Sequence, residues 1–129
     1  MKSRFVLALV LLALVAAPPA APAPRADADA VKTLINRQTS LFNARQWKAL
    51  WATYVPSFRS SCSYAQWVAQ NKTIRTRFGR VSTTNISVRV SGRRALANYV
   101  VRAGTKVVAR PKNDVYVKMG TRWLDQESC

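Results

Sequence analysis

Ile86-Ser87-Val88-Arg89-Val90-Ser91-Gly92-Arg93-Arg94-Ala95-Leu96-Ala97-Asn98-Tyr99-Val100-Val101-Arg102 is the stretch whose reading decides the fold. Ile86, Val88 and Val90 alternate with Ser87, Arg89 and Ser91, the period of a strand with one buried face. Ser91-Gly92-Arg93 supplies a turn. Beyond it Ala95, Ala97, Tyr99 and Val101 face one way, and Arg94, Asn98 and Arg102 the other. Further downstream, a third strand spans Lys106–Arg110, is interrupted by Pro111, and resumes through Val115, Val117 and Met119. Gly120-Thr121 turns into a last short strand, Arg122 to Glu127.

Upstream of Gly79 the period is helical. Asp29 is placed to cap a first helix carrying Val31, Leu34, Ile35, Leu41 and Phe42 on one side, with Gln38 in the gap. Asn43-Ala44 reads as a break. Trp47, Leu50, Trp51 and Tyr54 then recur at helical spacing up to Pro56, and Ser63 is placed to cap a third helix with Tyr64, Trp67 and Val68 on one side. Helices first and an antiparallel meander afterwards predict an α+β domain: three N-terminal helices on a strongly curved sheet of four to five strands.

The chain has 129 residues, 21 Lys+Arg, 5 Asp+Glu and no His, a formal charge of +16. Without histidine there is no Ser-His or Cys-His nucleophile pair and no imidazole acid–base chemistry, and two cysteines cannot build a four-thiolate metal site. No metal or cofactor is called for. Met1-Lys2-Ser3-Arg4 followed by the thirteen apolar residues Phe5–Ala17 and a Pro/Ala-rich stretch reads as an export signal, too short to span a bilayer. Ala26-Asp27-Ala28 is the cleanest small-x-small cleavage site, which divides the chain into a signal, 1–28, and a domain, 29–129, that is secreted, periplasmic or held at the cell envelope. In an exported chain, Cys62 and Cys129 are expected to form a disulfide.

The helices joined at Asn43-Ala44-Arg45, the third helix opening at Ser63, and the closing Gly120-Thr121-Arg122-Trp123-Leu124 resemble the nuclear transport factor 2-like superfamily over residues 29–129. The resemblance implies a cystatin-like cone, in which a bent sheet wraps the long first helix and leaves an apolar pocket. The superfamily includes ketosteroid isomerases, scytalone dehydratases and polyketide cyclases alongside many members without catalysis, so membership does not define function. Its enzymes use a carboxylate or a histidine inside the cone. Here no acid lies between Val31 and Asn113, and the remaining candidates are Asp114, Asp125, Glu127 and Asp29.

Asp114 reads as a turn residue, and Asp125 shares a side of the last strand with Trp123 and Glu127. If Trp123 is a core residue, Asp125 lines the pocket beside Tyr54, Tyr99 or Tyr116; otherwise Asp125 and Glu127 pair with arginines at the end of the sheet. Trp51 and Tyr54 fit the core, and Arg59 fits either the surface or a guard for an anionic ligand at the pocket mouth. Lys72, Arg75, Arg77 and Arg80 cluster at the end of the third helix, and Arg89, Arg93, Arg94 and Arg102 on the following hairpin. Export and the absence of a recognised motif disfavour nucleic acid, leaving an anionic envelope polymer or lipid surface as the partner of such a patch. The expectation is a non-catalytic binding or accessory domain that holds an apolar small molecule in the cone or an anionic surface on its basic sheet, with homodimer formation through the sheet a further option. The alternatives are an isomerase- or cyclase-like enzyme with Asp125 as general base, and a secreted cationic membrane-active protein.

Overall fold

A computed structural model describes residues 23–129, so the apolar run Phe5–Ala17 lies outside the described residues. The order is α1 (Ala23–Asn43), α2 (Trp47–Trp51), α3 (Pro56–Ser61), α4 (Tyr64–Phe78), β1 (Ser82–Ser91), β2 (Arg94–Ala103), β3 (Lys106–Ala109), β4 (Asp114–Met119) and β5 (Arg122–Asp125). The strands form one antiparallel sheet in the order β1-β2-β4-β5. β3 pairs with the C-terminal half of β2 and β4 with its N-terminal half, so Pro111 divides one flank of β2 between two strands. A shift of register between Thr84 and Ser87 accompanies the positive φ of Asn85, and such bulges bend a strand. The fold is the expected α+β cone of helices on a curved sheet.

α1 lies in the hollow of the sheet. Its Val31 and Ile35 form one buried cluster with Ala95, Ala97, Tyr116 and Trp123. Alanine at the two β2 positions leaves the helix room to approach the strand. Asn43, at the end of α1, donates to the Val81 carbonyl and accepts from the Val81 N–H, closing the helix against the start of β1. A second cluster joins Leu50, Val55, Phe58, Trp67 and Leu124, with Trp51 packed at ring-centroid distances of 5.4, 5.2 and 5.1 Å from Phe58, Tyr64 and Trp67. Burial of these aromatic rings holds three very short or modest helices that have little stability of their own.

Two helix boundaries differ from the sequence reading. α1 is already helical at Ala23, the first described residue, and Asp29 is an exposed residue inside it rather than its cap. The anchor is Asp27, whose Oδ1 accepts from Lys118 Nζ at 2.9 Å and Trp123 Nε1 at 3.1 Å, tying the first turns to the β4–β5 register pair. The segment Ala26-Asp27-Ala28 is therefore part of the domain's helix. Pro56 does not end a helix but opens a new one, α3, where its missing N–H and preset φ are tolerated. The preceding helix stops early because Thr53 Oγ1 donates to the Leu50 carbonyl and Tyr54 leaves to bridge β5 in parallel. Among the described residues there are thus four helices where the sequence reading has three. Ser63 caps α4 as expected, accepting from Gln66 N–H at 3.3 Å.

Cys62 and Cys129 are disulfide-bonded, with Cα atoms 5.8 Å apart. The bond ties the residues beyond β5 to the start of α4 and closes a loop of 67 residues in sequence separation. On the chain-entropy estimate it contributes about 4 kcal/mol. The double substitution Cys62→Ser/Cys129→Ser is expected to lower the unfolding free energy, measured in urea, by roughly that amount. A loss below about 1 kcal/mol would mean that loop closure is not what the bond contributes.

Candidate functional site

β5 carries the site. Asp125 donates its N–H to the Thr53 carbonyl and accepts from the Val55 N–H, both at 2.9 Å, so the strand edge is continued by residues 53–55. This pairing turns Tyr54 and Asp125 to the same side. From α1, Gln38 Nε2 donates at 3.0 Å to both Thr53 Oγ1 and Asp125 Oδ2. Gln38 is the polar residue in the apolar stripe of α1, and its reach into the sheet explains why that stripe is interrupted.

Asp125 is 6% exposed and lines a cavity of about 370 Å³. That volume falls in the range of small-molecule sites. Apolar walls come from Ile35, Phe42, Phe78, Val101 and Val108, and polar groups from Gln38, Tyr54, Tyr99 and Asp125. Glu127 stands on the rim, shared with a second depression beside the Cys62–Cys129 bond. Burial pushes the Asp125 carboxyl up to about 7; the Gln38 hydrogen bond opposes this, while Glu127 and Asp114 add to it. Partial burial and Asp114 also raise Glu127. Burial raises the phenols of Tyr54 and Tyr99, so both remain protonated donors.

No arginine pairs with Asp125 or Glu127 among the described residues, which corrects the expectation of ion pairs at the end of the sheet. Nor is Asp114 a simple turn residue. It opens β4, half-buried, and accepts from the Tyr99 hydroxyl at 2.7 Å. The cavity thus unites Tyr54, Tyr99 and Asp125 among the expected ligand-binding residues. Tyr116 lies beneath it, fully buried, its hydroxyl without a hydrogen-bond partner among the described residues. Trp51 belongs to the aromatic cluster and Arg59 is exposed on α3, so neither lines the cavity. Gln38 was legible only as an interruption of the apolar stripe.

The expected basic patch is partly committed to structure. Arg75 donates to the Asn43 carbonyl, Arg93 to the Lys118 carbonyl, Arg89 to Asn113 Oδ1 and Arg102 to the Thr105 carbonyl. Lys72, Arg77 and Arg80 on or after α4, and Arg94 on β2, are exposed.

No protein-family model matches the chain, and no curated protein does. Solved structures do. A protein of unknown function from Mycobacterium tuberculosis matches with a TM-score of 0.54 at 16% identity, over 74% of this chain and 66% of its own. A candidate scytalone dehydratase from Novosphingobium aromaticivorans matches with a TM-score of 0.52 at 20% identity, over 76% of this chain and 78% of its own. Bd1075 from Bdellovibrio bacteriovorus matches with a TM-score of 0.52 at 9% identity, over 76% of this chain and 38% of its own. The chain thus spans just under two-thirds of the first of these and well under half of the last. At such identities the likeness is one of fold alone: helices packed on a curved antiparallel sheet.

The raised Asp125 carboxyl makes stability depend on pH. Its proton is held more tightly in the folded chain than at the ordinary value of 3.8, so stability is greatest below that value and falls as pH rises toward about 7. The loss across that window is on the order of 2–4 kcal/mol. Urea unfolding should give a lower midpoint at pH 8 than at pH 4.5, and Asp125→Asn should remove most of the difference. An undiminished difference in the variant would assign the titration to another group.

Proposed function

We propose that the domain admits an apolar small molecule to the cone cavity and that Asp125 removes a proton from it as general base. The observation that carries this reading is a buried carboxylate, unpaired by any cation, lining an apolar cavity with its proton affinity near neutrality. Such a group is ionised for about half the molecules near pH 7 and is desolvated enough to be a stronger base than a surface carboxylate.

The neighbouring groups divide the work. Gln38 holds Asp125 Oδ2, leaving Oδ1 without a hydrogen bond among the described residues. The Tyr54 hydroxyl, kept protonated, is a donor for an oxygen on which negative charge develops. A C–H bond next to a carbonyl suits this pair. Its proton passes to Asp125 Oδ1 while its electrons move to the carbonyl oxygen, which accepts from Tyr54. In a β,γ-unsaturated carbonyl, return of the proton at the γ-carbon is an isomerisation; in a β-hydroxy carbonyl, the enolate electrons form the α,β double bond and the hydroxyl leaves with the proton from Asp125 as water, a dehydration. The apolar walls exclude water from the intermediate. The Cys62–Cys129 disulfide supports placing this chemistry in an exported domain.

The natural substrate is not needed for a test. Deuterium incorporation at the activated carbon of 2-tetralone in D₂O, followed by NMR, should be accelerated by the protein and rise through about pH 7. Asp125→Asn should reduce the acceleration by about 100-fold or more, and Tyr54→Phe by about tenfold. Bound probe without acceleration beyond that of acetate would sink the enzyme reading and leave a non-catalytic binding domain.

A further inference from the structure

We infer that the cavity selects an apolar ligand carrying one cationic nitrogen, a protonated amine or quaternary ammonium seated beside Glu127 at the rim, with Asp125 Oδ1 left to the reacting carbon. The inference rests on the small-molecule reading of the cavity and names the class of molecule it takes.

The observation is a segregation of charge. The chain has 21 Lys+Arg and 5 Asp+Glu, yet no basic residue among the described ones lines this cavity. All three acids beyond Asp29 gather at it. Asp125 and Glu127 are part of its lining, and Asp114 accepts from the Tyr99 hydroxyl, which is also in the lining. Asp27 is the contrast: where this fold uses a carboxylate to hold elements together, it sets Lys118 against it at 2.9 Å. Asp125 receives no such cation although it is 6% exposed, and its Oδ1 takes no hydrogen bond among the described residues.

A buried carboxylate without a counter-charge is costly, and further carboxylates beside it add repulsion. Either a proton or a ligand cation relieves both penalties. Asp125 and Glu127 line the same cavity, so an ammonium group beside Glu127 also lies in the field of Asp125. The aromatic side chains of Phe42 and Tyr54 in the same lining can add the attraction of a cation to an aromatic quadrupole, whereas the Phe78 ring already carries Arg77 at 5.1 Å from its centroid. The rest of the molecule works the other way. A net charge of +16 attracts anions and repels amines over its surface, so non-specific attraction cannot produce a preference for a cation.

Three ligands of matched shape separate the possibilities: 2-naphthylmethylamine, 2-naphthylmethanol and 2-naphthoate, titrated at pH 8 into the intact protein and followed by naphthalene fluorescence. The amine should bind about tenfold or more tightly than the alcohol, and the naphthoate least well. Glu127→Gln should shrink the ratio of amine to alcohol affinity to about threefold or less. Val108→Trp, which fills the cavity, should weaken all three. Equal affinity for amine and alcohol, or preference for the naphthoate, overturns the cation selection and leaves the small-molecule site standing. Amine selectivity that survives Val108→Trp places it elsewhere and also overturns the proposal. Failure of all three to bind removes the cavity reading and the proposal together.

Discussion

Gln38 joins three parts of the molecule that no other side chain connects in the same way. It sits on the helix inside the sheet, and its amide donates to Thr53 in the connection after α2 and to Asp125 on the last strand. The backbone of residues 53–55 is paired to Asp125 at the same point. A buried amide must find acceptors, and a buried carboxylate must find donors, so each makes the other tolerable in a core that is otherwise apolar. The helix, the crossing segment and the strand are thereby held in a single arrangement. The cavity is what remains between them.

That arrangement also explains how so basic a chain comes to present an acidic interior. Sixteen Lys and Arg fall between Val31 and Asn113 without one acid, so the helices and first strands carry positive charge to solvent. Beyond Asp29, carboxylates arrive only with β4 and the segment after it, and the sheet order brings both next to the hollow that α1 occupies. Asp114 is drawn toward Tyr99, Asp125 toward Gln38, and Glu127 to the rim. Scarcity of acids along the sequence becomes concentration of acids in space. Distances along the chain carry no trace of this, because the partners of Asp125 lie 72 and 87 residues away, at Thr53 and Gln38.

Much of the architecture was legible because it rests on local rules. Alternation over Ile86–Val90 and Ala95–Val101 marked the hairpin, since one buried face imposes a period of two. Ser63 marked the start of α4 through its cap, and Pro111 separated β3 from β4 because it cannot donate to a ladder. Two cysteines in a chain with an export-like leader pointed to the bond between them. Local rules failed where a distant partner outweighed them. Asp29 has the chemistry of a cap, but Asp27 found Lys118 and Trp123 on the sheet and carried the helix back to Ala23. Pro56 has the chemistry of a stop, but the chain had already left the helix at Tyr54 to pair with β5, and the proline served to begin α3.

The site was half legible for the same reason. Alternation along β5 placed Asp125 beside Trp123, and the sequence offered Tyr54 and Tyr99 as neighbours, which is where they lie. For a partner of Asp125 the sequence suggested arginines; Gln38, legible only as a gap in the apolar stripe of α1, is the residue that packs against it. By itself the sequence determined the order of helices and strands, their buried faces, the excess of positive charge and the pair of cysteines, because periodicity, capping and composition are properties of neighbouring residues. The tertiary structure alone decided that a carboxylate would be enclosed without a cation, because desolvation and electrostatic pairing depend on which surfaces meet.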